Sequence, residues 1–351
     1  MPPSPRQSAH LHGLPPDPVA LQLECANPSA HNPLSFGEAC RSDDWPLWER
    51  ALKEEFASIW AMNIYNLVPR DSVPVSWKVL QGKPVFWIKH DKHGMSMHFK
   101  AHWVLKGYEQ VEGLDYNDTH SPTAHSESFH ISLHIAVTMD WEIQNFNIKT
   151  AFLHGELSHN KACWMEQPTG FEEPGKEDHI WQLLKALYGM KQAGRVWNIT
   201  LNDTMLAWGF IWLLCEYCVY YCNTDTGTII AIVHVNNFLS LASSKEENEH
   251  FKAQLCKHWE ISEGDASFML GMWIKCDHIN CTISISQEAF IDKLLTEFNL
   301  TNATPYKVPM NPGLHLQQPS NLTPAETIEL VLPQPRSRFF DYFDFVAWIK
   351  Y

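Results

Sequence analysis

Apolar positions first recur at helical spacing at Trp45, Trp48, Leu52, Phe56 and Trp60. Steps of three and four residues lay them along one face of a helix, with Asp43 or Asp44 placed to cap its start. From 65 to 108 the pattern shortens to strand-like runs. Val85-Phe86-Trp87-Ile88 and Trp103-Val104-Leu105 flank a turn near Asp91-Lys92-His93-Gly94, which predicts a long hairpin. A helix is expected over 126–140 and a strand from Trp141 to Asn147. Helical spacing returns at Trp197, Leu201, Met205 and Trp208. Thr228 to Val235 is a β-branched strand, with Phe238 to Ala242 as its partner across a tight Asn-Asn turn. Phe290, Leu294 and Phe298 mark a later helix. Residues 1–35, rich in Pro, Ser and His, have no period and predict a flexible leader. Residues 315–351 carry prolines and then an aromatic cluster from Phe339 to Phe343, and read as an irregular or truncated tail.

A chain of 351 residues, 45% hydrophobic with 15 tryptophans, is long and apolar enough for a sizeable core. No apolar run reaches the roughly 18 residues of a membrane span. The start, Met1-Pro2-Pro3-Ser4-Pro5-Arg6, lacks a signal peptide's apolar segment. An intracellular protein with no membrane partner is therefore expected, and the sequons at Asn198 and Asn299 carry little meaning. The nine cysteines show no disulfide-framework spacing. Cys215-x-x-Cys218 with Cys222 falls short of a zinc ligand set. The net charge of −14 changes the picture more. It argues against strong autonomous binding to a phosphate backbone, while leaving room for a local basic groove.

The chemistry lies in a series of motifs in fixed order. Trp48-Glu49-x-Ala51 with Glu54 or Glu55 comes first, then Asn63-x-Tyr65-x-Leu67-Val68-Pro69. Lys100-Ala101-His102-Trp103-Val104-Leu105-Lys106-Gly107-Tyr108 follows, then Gly113-x-Asp115-Tyr116 with Ser121-Pro122. Next come Asn147-Ile148-Lys149-Thr150-Ala151-Phe152-Leu153-x-Gly155 and Met165-x-Gln167-Pro168-x-Gly170-Phe171. Lys185-Ala186-Leu187-Tyr188-Gly189-Met190-Lys191-Gln192 with Arg195 and Trp197, the hairpin His234-Val235-Asn236-Asn237, and Leu270-Gly271 complete the set. Taken singly, each has an ordinary reading. Phe152 is a core aromatic, Lys100 and Lys106 are surface lysines, Gly189 is a turn glycine, and Asn236-Asn237 is a good hairpin turn.

In combination the motifs resemble the reverse transcriptase domain of copia-type retrotransposons. The resemblance implies an α+β fold of fingers, palm and thumb, with an antiparallel palm sheet flanked by helices. The domain would span 36–314, with fingers about 45–140, palm about 141–275 and a partial thumb about 276–314. It implies RNA-directed DNA polymerisation, with an RNA template, a DNA primer and dNTP as partners and Mg²⁺ as cofactor. Two metal ions about 4 Å apart would join the primer hydroxyl to the nucleotide α-phosphate. Their carboxylates would stand at positions 147, 236 and 237. Lys100 and position 102 would clamp the triphosphate, Phe152 would close over the sugar, and Gln192 would complete the nucleotide site. Leu187, Tyr188, Gly189 and Lys191 would abut the incoming base pair and template, and Leu270 and Gly271 would hold the primer end. No ribonuclease H, integrase or protease segment is expected.

The departures from the family fall on the chemistry. Asn147, Asn236 and Asn237 stand where the family carries aspartate, and His102 where it carries arginine. Gly194 replaces a frequent proline, a milder change. Asparagine is nearly isosteric with aspartate but brings no charge, so no tight metal binding is expected. A neutral imidazole cannot replace a bidentate guanidinium on a triphosphate. Asp→Asn and Arg→His each need one G-to-A change in a codon, the pattern of an element decaying under mutation. The expectation is a catalytically inactive copy. The alternatives are a non-catalytic nucleic-acid-binding remnant and a weak Mn²⁺-dependent polymerase.

Overall fold

The computed structural model describes residues 32–302, apart from 76, 91–96, 158–162 and 265. The expected leader and tail lie largely outside the described residues, as does the turn expected near Asp91. Along the chain run α1 (Phe36–Arg41), α2 (Trp45–Ala61), β1 (Tyr65–Pro69), β2 (Val79–Leu80), β3 (Gly82–His90) and β4 (Met97–Leu105). Then come α3 (Ser126–Thr138), β5 (Glu142–Ile148), β6 (Cys163–Glu166), β7 (His179–Leu183) and α4 (Ala193–Ala207). Five further elements are β8 (Ile211–Leu213), β9 (Glu216–Asn223), β10 (Thr228–His234), β11 (Asn237–Ala242) and α5 (Lys245–His258). Last are β12 (Ile261–Gly264), β13 (Phe268–Met269), β14 (Met272–Asp277), β15 (Thr282–Ser286) and α6 (Glu288–Glu297). Residues 1–286 form one unit and 287–351 a second, of which α6 is the described helix. No helix among the described residues is long and apolar enough to cross a membrane.

The expected α+β architecture is present. A six-stranded sheet, ordered β12-β5-β11-β10-β9-β8, is antiparallel throughout and covered by helices. Its central strands β10 and β11 are buried on both faces, so alternate residues serve different cores. On β10 and β11, Ala231, Val233 and Phe238 join Trp197 and Leu201 of α4 and Phe251 of α5. The intervening Ile232, Leu239 and Leu241 pack against Phe129 and Leu133 of α3 and Ile274 of β14. A third core joins α2 to the β3–β4 hairpin and to a four-stranded sheet, β1-β7-β6-β2. There β2 runs parallel to β6, the one parallel pairing among the described strands.

Helix α2 follows the apolar period, with Trp48, Leu52 and Phe56 buried. Asp44 does take the cap position, but its carboxylate makes no capping bond. Pro46 in the first turn sets the helix start instead. The expected helix over 126–140 ends at Thr138, and the strand expected from Trp141 runs from Glu142 to Ile148.

Where β4 ends, the backbone of the Leu187–Gln192 turn crosses it closely. Leu105 N–H donates to the Tyr188 carbonyl at 2.8 Å. Gly189 has φ +86, and a Cβ there would stand 2.1 Å from the Leu105 carbonyl oxygen. Gly189→Ala is therefore expected to cost on the order of 3 kcal/mol, from strain plus clash. Gly113, with φ +83 and nothing near its missing Cβ, isolates the strain alone. Gly113→Ala should cost about 1 kcal/mol. Urea unfolding of the two variants checks this, and equal losses would contradict the close crossing.

Candidate active site

Pairing of β5 with β11 sets Asn147 directly opposite Asn237. Asn236 reaches the same place from the turn, and its carbonyl accepts from Ile148 N–H at 2.8 Å. The three asparagines singled out in the sequence are thus brought together. The expected Asn-Asn turn needs correction. His234 pairs with Asn237, so the two turn residues are Val235 and Asn236, and Asn237 is the first residue of β11. Val235 takes φ +60, a conformation that a β-branched residue rarely adopts. Trp197 holds it there, its indole N–H donating to the Val235 carbonyl at 2.7 Å.

The amides form a relay. Asn236 Nδ2 donates to Asn147 Oδ1 at 3.3 Å and to the Ile148 carbonyl at 3.4 Å. Asn147 Nδ2 donates in turn to Asn237 Oδ1 at 2.6 Å. Ionised carboxylates have no donor and could make neither amide-to-amide bond. On the other flank of Asn147 the strand partner is Ser262, and nearby Lys149 pairs with Glu260. Mg²⁺ prefers octahedral oxygen ligands with carboxylate among them. These residues offer three neutral amides, two of whose oxygens already accept hydrogen bonds. Among the described residues no three His, Cys, Asp or Glu side chains converge as a metal site. The donor set does not fit a tightly held Mg²⁺.

Lys100 and His102 share one face of β4, with Trp87 and Val85 opposite them on β3. His102 Nδ1 lies 3.2 Å from Glu55 Oε1, which also accepts from Trp103 N–H. Its ring lies 4.7 Å from that of Tyr188, and Trp87 meets it edge-on. Tyr188 also meets Phe152 edge-on at 5.9 Å, so His102, Tyr188 and Phe152 form a continuous aromatic line. Burial, and then the Glu55 charge, push the Tyr188 hydroxyl above its ordinary pKa. Phe152, in the short 3-10 turn Ala151–His154, lines a cavity of about 130 Å³ with Val235, Trp197, Leu201 and Cys218. Burial, and then Glu216, push the Cys218 thiol up to about 12.

Gln192 faces inward. Its side chain is buried, accepts from Gln110 Nε2 at 3.1 Å and donates to the Asp115 carbonyl at 3.3 Å. Lys191 donates to the Tyr116 hydroxyl at 3.0 Å and lies over that ring. Leu187 is fully buried. Leu270 and Gly271, with φ +53 and +76, form a two-residue turn between β13 and β14. Two positions were quoted in the sequence motifs without a site role: Glu55 beneath His102, and Trp197 behind the hairpin.

Residues 62–312 match a family model described as reverse transcriptase (RNA-dependent DNA polymerase). The chain is 32% identical over 271 residues to the retrovirus-related Pol polyprotein from transposon TNT 1-94 of Nicotiana tabacum, covering 77% of this chain and 20% of that protein. It is 30% identical over 278 residues to the retrovirus-related Pol polyprotein from transposon RE2 of Arabidopsis thaliana, covering 78% and 19%. The chain spans about a fifth of the length of these relatives. A solved foamy viral protease-reverse transcriptase in complex with double-stranded DNA matches with a TM-score of 0.37 and 10% identity, covering 71% of this chain and 36% of that one.

One titration follows from the site's surroundings. His154 sits beside Trp197 and Trp259, its Nε2 buried without a hydrogen-bond partner among the described residues. Burial pushes its imidazole below the ordinary value, against a backbone hydrogen bond at Lys149. The unfolded chain then takes up the proton more readily than the folded one. This contribution to stability is complete above the ordinary histidine pKa of about 6.5 and is lost as pH falls below it. His154→Gln should flatten the fall in melting temperature over that window. Parallel curves for the two proteins would contradict the assignment.

Proposed function

The chain belongs to the reverse transcriptase (RNA-dependent DNA polymerase) family, and from that premise we propose that this copy has lost two-metal polymerisation while keeping the frame of the site. The observation that supports this reading best is the amide relay of Asn147, Asn236 and Asn237. Each missing carboxylate removes an attraction for a divalent ion worth on the order of 1–4 kcal/mol at a few Å. Losing three together leaves nothing to gather two such ions, and the primer hydroxyl is not activated. His102, turned to Glu55 and Tyr188, supplies no guanidinium for a triphosphate. On this reading Lys100, Phe152, Gln192, Leu187, Tyr188, Gly189, Lys191, Leu270 and Gly271 keep ancestral positions around a nucleotide and primer–template that are no longer turned over.

Primer extension on an RNA template with Mg²⁺ tests the proposal. The unmodified chain should give no product, and product from it would overturn the reading. The triple variant Asn147→Asp, Asn236→Asp, Asn237→Asp should regain extension if the rest of the site is intact. If it does not, adding His102→Arg separates the nucleotide clamp from the metal site. The same variants bear on stability. Clustered carboxylates repel and cannot form the relay, so the triple variant should lose about 2–4 kcal/mol in metal-free buffer. Its melting temperature should rise with Mg²⁺, whereas that of the unmodified chain should not. A higher metal-free melting temperature for the triple variant would contradict the relay's role.

A second reading, a nucleic-acid-binding remnant, is favoured by the β3–β4 hairpin. Residues 82–90 and 97–106 hold four lysines, Lys83, Lys89, Lys100 and Lys106, and no acid, in a chain of net charge −14. Trp87, 42% exposed, stands opposite Lys100 on one face of the hairpin. Lysines around an exposed aromatic suit a single strand, whose bases stack and whose phosphates pair. A salt titration of binding to an RNA–DNA hybrid measures this. A log–log slope near zero means few phosphate contacts and would end this reading.

A further inference from the structure

Helix α3 carries two histidines four residues apart, His130 and His134. Phe129, Leu133 and Ala136 are fully buried against the central sheet and fix the helix's rotation. At 3.6 residues per turn, His130 and His134 then lie about 40° apart on the outward side. His134 is exposed and His130 half-buried. Neither imidazole has a hydrogen bond or ion pair among the described residues. Glu127, one turn before His130, adds a carboxylate to the same exposed face. Nothing in the polymerase reading uses this face.

We propose that His130 and His134 form a surface chelate for a borderline divalent transition ion such as zinc. Residues four apart on a helix have Cβ atoms about 5–6 Å apart. Two imidazoles can therefore converge on one ion, each giving a nitrogen lone pair at about 2.0–2.1 Å. No three ligating side chains already converge among the described residues. The chelate is thus bidentate, water completes the coordination, and Glu127 supplies a neighbouring negative charge. Imidazole selects zinc, nickel or copper(II) over magnesium. The site is therefore independent of the asparagine cluster in both ion and location. Bound metal holds only the helical spacing of the pair, so it pins the middle of α3 against local opening.

Hydrogen exchange on the whole chain, resolved to the α3 peptide, tests this with zinc as the probe. With free zinc at about ten times its Kd, opening of α3 should become about tenfold rarer, and its amides should exchange that much more slowly. Magnesium should leave α3 unchanged. His134→Ala should abolish the zinc effect. The position is exposed and alanine is the best helix former, so the fold should be retained. His130→Ala combined with Thr138→His re-creates the four-residue spacing one turn on, between His134 and the exposed position 138, and should restore the effect. Absence of zinc-dependent slowing in the unmodified chain would overturn the proposal. So would slowing that persists in His134→Ala, which would assign the ion to other histidines among the 19 in the chain.

Discussion

The register between β5 and β11 is the constraint on which the site depends. Asn147 faces Asn237 because Phe146 and Phe238, one residue away on each strand, are buried on the α4–α5 side. The next residue along β11, Leu239, is buried on the α3 side. A slip of one residue would exchange the two faces and bring the wrong side chains to both cores. The register is therefore fixed by burial and owes nothing to the polar cluster at its end. The same reasoning explains why the three amides still meet. Their positions are set by apolar neighbours, so the charge they carry can change without moving them.

The elements that rest on apolar patterning were legible in the sequence, because one buried face leaves a repeat of 3.6 or 2 and two leave a continuous apolar run. What escaped had other causes. Helix α5 is mostly polar and shows only Phe251 and Leu255 as buried apolar positions. Its signal was the cap, where Ser244 accepts from Glu247 N–H. The turn at Val235 runs against propensity, since an asparagine beside it would take a positive φ at lower cost. There Trp197 decides, from a helix nearly 40 residues earlier in the chain. The parallel β2–β6 pairing involves two residues of β2, too few to leave a pattern. Within the site, resemblance singled out the three asparagines and His102, and the strand register brings the asparagines together. Resemblance could not say that the amides bond to one another, nor that Glu55 lies buried beneath His102.

Those two local arrangements bear on how such a site could lose its charges and keep its fold. Three aspartates without metal would repel one another at the end of a buried sheet. Three asparagines relieve that repulsion and add donors where there were none. On the proposed reading, an arginine at position 102 would have met the buried Glu55 carboxylate. His102 still reaches that carboxylate, and its ring fills space against Tyr188 and Trp87. On that reading each departure keeps a partner that was already in place. On the proposed reading, single-base changes at such positions would abolish chemistry at little cost in stability, so an accumulation of them is compatible with a chain that still folds. On the proposed reading, the polymerase frame persists because its register, its turn and its buried carboxylate are satisfied by neighbours other than metal and nucleotide.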